Sequence, residues 1–161
     1  MCGIIGIASN KPVTSNIIQS LKKLEYRGYD SAGIATIVND YIDEKKCTGR
    51  VDNLEKILFK SPSVGSTGIG HVRWATHGVP SQINAHPHSS EVVSVVHNGI
   101  IENSNELKKD LEKKGYKFKS QTDTEVIAHL VTDYLKKNNL KNTIVKVLQK
   151  LHGSFALGII F

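Results

Sequence analysis

Apolar positions along this chain follow two rhythms, and together they divide it into strands and helices. Gly3 to Ala8 (GIIGIA) is continuously apolar and predicts a buried strand. From Val13 to Tyr26 the apolar residues fall three and four apart, at Ile17, Ile18, Leu21 and Leu24, which predicts an amphipathic helix. Ala32 to Val38 predicts a second strand, and residues 41–60 hold a weaker strand followed by a short helix around Leu54, Ile57 and Leu58. The turn-rich passage Gly65 to Gly70 leads into a strand at Ile69–Trp74. Val92 to His97 is a β-branched run of the kind buried on both faces.

In the second half Asn103 with Glu106 predicts a capping pair opening a helix over 104–114, which Gly115 ends. Thr122 with Glu125 predicts a second capping box, ahead of an apolar stripe at Val126, Ile127, Leu130, Val131, Tyr134 and Leu135. A further helix at about 141–151 stops at Gly153, and Phe155 to Phe161 predicts a last strand. Strands and helices come in runs and do not alternate strictly, which predicts an α+β layered domain with helices on the outer faces of a sheet stack.

Length and composition narrow the class. One domain is expected for 161 residues, and 39% apolar content with no run long enough to span a bilayer predicts a soluble, cytoplasmic protein with no membrane partner. Two cysteines, Cys2 and Cys47, are too few for a disulfide framework. The net charge of +6 raises the question of nucleic acid, but the lysines lie in pairs on helix faces without interleaved aromatics, so a solvated face is expected and no nucleic-acid partner. Only three arginines occur, Arg27, Arg50 and Arg73, and such sparing use suggests places where a planar, permanently charged fork is needed.

Cys2 follows the initiator methionine directly. Trimming of Met1 would leave one residue with both a thiol and a free α-amine, which ordinarily titrates at about 7.7–8.0 and so can take the thiol proton near neutrality. The plainer alternative is an inert cysteine opening a strand. In HVRWATHG (71–78), Arg73 could clamp a carboxylate while Thr76 and His77 add donors and Trp74 covers a ligand; the alternative is a polar turn with an anchoring indole. In VHNGI, Asn98 and Gly99 could supply two donors to a developing oxyanion, against the generic reading of Asn-Gly as a hairpin turn. Asp123 could receive an ammonium, or simply cap a helix. His71, His77, His86, His88 and His97 invite a zinc reading, but no C-x-x-C or H-E-x-x-H accompanies them, and no metal is expected. A thiol nucleophile, an oxyanion pair, a guanidinium for a carboxylate and a carboxylate for an ammonium together describe an amino-acid substrate with a side-chain amide, glutamine or asparagine.

Six blocks in order carry a resemblance over essentially the whole chain: Cys2-Gly3-Ile4, EYRGYDSAG (25–33), HVRWATHG (71–78), NAHPH (84–88), VHNGIIEN (96–103) and TDTEVI (122–127). They resemble class II glutamine amidotransferases, whose domains are N-terminal-nucleophile hydrolases of layered αββα architecture. The forms EYRGYDSAG, RWATHG and TDTEVI are nearer the branch that serves aminosugar synthesis than the amidophosphoribosyltransferase branch. The resemblance implies Cys2 as nucleophile with its own amine as base, and Asn98 with Gly99 as the oxyanion hole. It implies Arg73, Thr76 and His77 on the carboxylate of L-glutamine, and Asp123 with the Gly99 carbonyl on its ammonium. Trp74 would sit on a closing loop, and Arg27 would build the wall beside the nucleophile. No cofactor is implied.

In that family the domain continues for several strands and sugar-phosphate isomerase domains follow. Residues 1–161 are therefore expected to be a C-terminally incomplete amidotransferase domain, with apolar side chains left uncovered on strand 155–161. Fructose 6-phosphate would enter only through the absent isomerase domains. A homo-oligomer or a separate synthase chain is left open as partner. The competing reading is a non-catalytic fragment, or a glutamine-binding partner of a separate synthase.

Overall fold

The computed structural model describes residues 2–75 and 78–161. Among the described residues, seven strands form two antiparallel sheets. β1 (Gly3–Ala8), β2 (Ser31–Val38), β3 (Tyr41–Thr48) and β4 (Thr67–Arg73) make the first, in the order β1-β4-β2-β3. β5 (His88–Ser90), β6 (Val93–Ile101) and β7 (Gly153–Ile160) make the second, in the order β5-β6-β7. Helices α1 (Thr14–Leu24) and α2 (Val51–Lys60) belong to the first half of the chain, and α3 (Ser104–Lys113), α4 (Glu125–Leu135) and α5 (Leu140–Lys150) to the second.

Three apolar clusters define four layers. Ile17, Ile18 and Leu21 of α1 and Val51, Leu54 and Leu58 of α2 pack on Ala32, Ile34, Cys47 and Val72 of the first sheet. Leu107 and Leu111 of α3, Val147 of α5 and the apolar residues of α4 pack on Val93, Val95 and Ile101 of β6. Between the sheets lie Ala35, Ile69, Val96 and Ile160, with Ile4, Ile37 and Ile42 against them. Fully buried side chains such as Ile17, Leu21, Leu54 and Ile127 each contribute about 1.5–3 kcal/mol. The result is helices, sheet, sheet, helices, the layered arrangement expected from the sequence. β7 forms the rim of the second sheet among the described residues, and its Phe155, Leu157 and Ile159 are only half-buried against the helical layer.

Several local expectations change. The pairs Asn103/Glu106 and Thr122/Glu125 do not form capping boxes. Asn103 precedes α3 without capping it, and its side chain instead bridges Lys150 O and His152 N at 2.8 and 3.0 Å, tying α3 to the end of α5. Thr122 bonds His88 Nε2 at 3.0 Å, and Glu125 accepts from the Lys119 and Ser120 amides of the incoming loop. α4 is not a one-sided helix: every residue from Glu125 to Thr132 is buried, because β5, β6, α3 and α5 surround it. The short β5 has no signature in the sequence; three residues give no period to detect. Asn98-Gly99 is not a hairpin turn but lies inside β6, opposite Ala156 and Phe155.

Candidate active site

Antiparallel pairing of β1 with β4 sets Gly3 opposite Val72 and brings the start of the chain to the end of β4. There Cys2 Sγ lies 3.4 Å from the Trp74 amide and 3.5 Å from its carbonyl oxygen, so the backbone of Trp74 can donate to the sulfur or accept from the thiol. The carbonyl oxygen of Cys2 accepts from Arg27 Nε at 3.1 Å and from Asn98 Nδ2 at 3.0 Å. Three segments from opposite ends of the sequence thus hold one residue: the turn after α1, the exit of β4, and the middle of β6.

The exit of β4 has its own scaffold. Gly28 follows Arg27 where the chain passes so close to β4 that a Cβ would lie 2.5 Å from the Arg73 carbonyl carbon and 2.6 Å from Trp74 N. Asp30 N donates to Arg73 O at 3.1 Å, Asp30 Oδ2 accepts from the Ala75 amide, and Asp30 Oδ1 lies 4.0 Å from Arg73 Nη1. Arg73 is buried, and its Nη2 donates to Gly78 O at 3.2 Å. Trp74 is half-exposed, with Tyr29 edge-on at 5.9 Å. Thr76, His77 and Met1 lie outside the described residues.

On β6, Asn98 points to Cys2 and Gly99 follows with φ +141, a conformation suited to glycine. Any Cβ there would meet Ser154 O at 2.2 Å. Asp123 reaches the same strand from the loop before α4: its Oδ2 accepts from Ile101 N at 2.8 Å, and Oδ1 lies 3.8 Å from His97 Nδ1. Its side chain therefore serves β6 and not the helix start.

Four of the five clustered histidines are described, and they form a buried layer behind these groups. His71 Nε2 donates to His97 O at 3.0 Å, and its ring stacks on His86 at 4.1 Å. His86 Nε2 and His97 Nδ1 both bond Thr124 Oγ1, at 2.8 and 2.9 Å. The rings are engaged with hydroxyls and a carbonyl. Burial holds His71 down to about 3, its bond to His97 opposing, and burial with nearby Lys46 does the same to His88. Burial, reinforced by the neighbouring rings and Arg73, also lowers His86, while for His97 burial is opposed by Asp123.

Of the residues singled out in the sequence, Cys2, Arg27, Asn98, Arg73 and Trp74 converge within bonded reach of one another or through Asp30. Asp123 stands three residues along β6 from Asn98, measured at Ile101. Sequence reasoning missed Asp30 and Thr124. Asp30 sits in the EYRGYDSAG block as one of its two carboxylates with Glu25, whereas nothing in the local sequence sets Thr124 apart from Thr122 at the start of the same helix.

A family described as "Glutamine amidotransferase domain" matches residues 71–161. A glutamine–fructose-6-phosphate aminotransferase (isomerizing) of Bradyrhizobium diazoefficiens is 54% identical over 162 residues, covering 100% of this chain and 27% of the relative. One from Clostridium acetobutylicum is also 54% identical, covering 99% of this chain and 26% of the relative. The chain thus spans about a quarter of the length of these relatives. Among solved structures, the glutamine phosphoribosylpyrophosphate amidotransferase of B. subtilis superposes with TM-score 0.83 at 29% identity, over 99% of this chain and 35% of that one. A class-II glutamine aminotransferase domain protein from Silicibacter pomeroyi, at 15% identity and TM-score 0.59, shares the fold. The αββα layering is accordingly that of the N-terminal-nucleophile type. From the sandwich to the six sequence blocks, the chain belongs to the glutamine amidotransferase domain family.

Proposed function

We propose that this chain hydrolyses the side-chain amide of L-glutamine to glutamate and ammonia through a γ-glutamyl thioester on Cys2. The observation that carries the reading is the convergence of Arg27, Trp74 and Asn98 on Cys2 in a member of the amidotransferase family. With Met1 removed, the Cys2 α-amine takes the thiol proton and Sγ attacks the amide carbon. Negative charge develops on the amide oxygen. Asn98 has two N–H donors and uses one on the Cys2 carbonyl, leaving the second for that oxygen, with the Gly99 amide as its partner. Collapse of the intermediate expels ammonia, which carries the proton from the amine, and water then releases glutamate.

Arg73, with Thr76 and His77, receives the substrate carboxylate, and Asp123 with the Gly99 carbonyl receives its ammonium. Trp74 covers the bound amino acid. Residues 1–161 form part of one amidotransferase domain. In proteins of the relatives' length the ammonia would go to fructose 6-phosphate bound elsewhere in the polypeptide. A nucleophilic free thiol fits a reducing, cytoplasmic setting.

The test is an electrophilic glutamine analogue followed by intact-mass and peptide measurement, alongside ammonia release. One adduct on Cys2, lost in Cys2→Ala, is expected. A chain that binds glutamine but neither reacts nor releases ammonia would be a binding module, and the hydrolytic reading would fall.

A further inference from the structure

Thr124 stands immediately before α4, where a threonine ordinarily caps the helix with its hydroxyl. It does not do so here. Its backbone is already helical, at φ −85 and ψ −34, and its side chain makes no capping bond. Fully buried, the hydroxyl sits between His86 Nε2 at 2.8 Å and His97 Nδ1 at 2.9 Å.

A hydroxyl carries one proton, so at least one of those two ring nitrogens must be an N–H that donates to it. Asp123 decides which. Its Oδ1 lies 3.8 Å from His97 Nδ1, and a bare ring nitrogen facing a carboxylate oxygen would be repelled. The proton is therefore on His97 Nδ1. Thr124 accepts from His97 at Oγ1. His71 is the opposite tautomer, because its Nε2 faces the His97 carbonyl oxygen and must donate.

We propose that Thr124 is a positioning residue for substrate recognition: by fixing the N–H of His97 towards Oγ1, it leaves the Asp123 carboxylate aimed at the glutamine ammonium. This inference rests on the reading of Asp123 as the ammonium ligand. Without the hydroxyl, the His97 N–H turns to Asp123 Oδ1, 3.8 Å away, and draws the carboxylate toward itself. Affinity for the ammonium falls, while Cys2 and Asn98, placed by other contacts, are untouched.

The experiment compares glutamine with glutaramate, the same amide without the α-amine, in the wild-type chain and in Thr124→Val, Thr124→Ser and Asp123→Asn. The wild type should prefer glutamine. Thr124→Val should raise KM for glutamine about tenfold or more with kcat within about twofold, and leave glutaramate hydrolysis unchanged; Thr124→Ser should restore the preference. Long-range proton–nitrogen spectra of histidine-labelled protein should show His97 protonated at Nδ1 and His71 at Nε2. If Asp123→Asn abolishes the preference but Thr124→Val keeps it, the positioning role is wrong. A wild type with no preference overturns the Asp123 assignment and the inference with it. A bare His97 Nδ1 in the wild type also overturns it, whatever the kinetics.

Discussion

The side-chain amide of Asn98 donates to the carbonyl oxygen of Cys2 at 3.0 Å, across 96 positions of sequence. It ties the proposed nucleophile to the middle of the other sheet. Truncation of Asn98 removes both this tie and the remaining N–H. Asn98→Ala should therefore lower kcat by about 10²–10³, the usual loss for one oxyanion donor, with KM for glutamine changed much less. Steady-state ammonia release measures both, and a pure KM effect would remove Asn98 from the oxyanion hole.

Substrate-end residues should behave the other way. Asp123→Asn keeps the hydrogen bond from Ile101 N within reach but removes the charge, so KM for glutamine should rise by about tenfold or more while kcat holds. Arg73→Lys should also raise KM, because a lysine cannot reproduce a planar fork that engages Gly78 O and faces Asp30. Saturation curves for the two variants check this, and a loss confined to kcat would contradict both assignments.

These roles are unequally legible in the sequence. Strands and helices with a clear period can be placed to within a few residues, because burial of one face leaves its mark at every second or every third and fourth position. The layered class follows from their order. Short-range signals do worse. Asn98-Gly99 carries the strongest local hairpin signal in the chain, yet pairing with β7 and the approach of Ser154 O to Gly99 keep it in a strand. Thr122, Thr124 and Asn103 all carry side chains that cap helices, and each is recruited by a group distant in sequence. A threonine offers the same hydroxyl to a helix or to a histidine, and only the fold decides which is nearer. The site is readable mainly because its polar blocks sit at strand ends and helix starts, where rigid elements present loops.

The two thiols should be sharply distinguishable. Cys47 is buried under α2, and burial pushes its thiol up, opposed only by a bond involving the Ala32 backbone. At neutral pH it should resist alkylation while Cys2 reacts. Cys47→Ala should leave glutaminase activity intact and cost about 1 kcal/mol of stability for the small space it opens. Timed alkylation with peptide mapping gives the order of reaction, and faster modification of Cys47 would contradict its burial.

Gly99 tests whether β6 has any freedom near the nucleophile. With φ +141 and Ser154 O only 2.2 Å from where a Cβ would stand, an alanine must push β7 away or change the backbone of β6. Gly99→Ala should destabilise the fold by about 2 kcal/mol or more and lower turnover as its amide shifts. Chemical denaturation measures the first effect. A stability equal to the wild type would mean that β6 and β7 separate easily, and that the strand does not hold the oxyanion donors rigidly.

Acid should destabilise this protein earlier than carboxylate titration alone allows. His71 and His88 sit at about 3 when folded, and His86 is also lowered, against about 6.5 in an unfolded chain. Protons therefore bind the unfolded state preferentially. Their stabilising contribution is complete above about pH 6.5 and declines as pH falls toward the folded values, by about 1.4 kcal/mol per pH unit for each histidine. Glu125 acts in a lower window. Burial alone would raise it, but His129 and the amides of Lys119 and Ser120 hold it at about 2 against 4.5, so its contribution declines only below about pH 4.5. Urea unfolding midpoints between pH 8 and 5 should thus be level down to about 6.5 and then fall steeply, before any carboxylate is involved. His88→Gln keeps an amide that can reach Thr122 and removes one titrating ring, so it should make that fall shallower. A wild-type midpoint that stays flat to pH 5 would mean that the buried rings accept protons without unfolding, and that the layer behind Asn98 and Asp123 is wet.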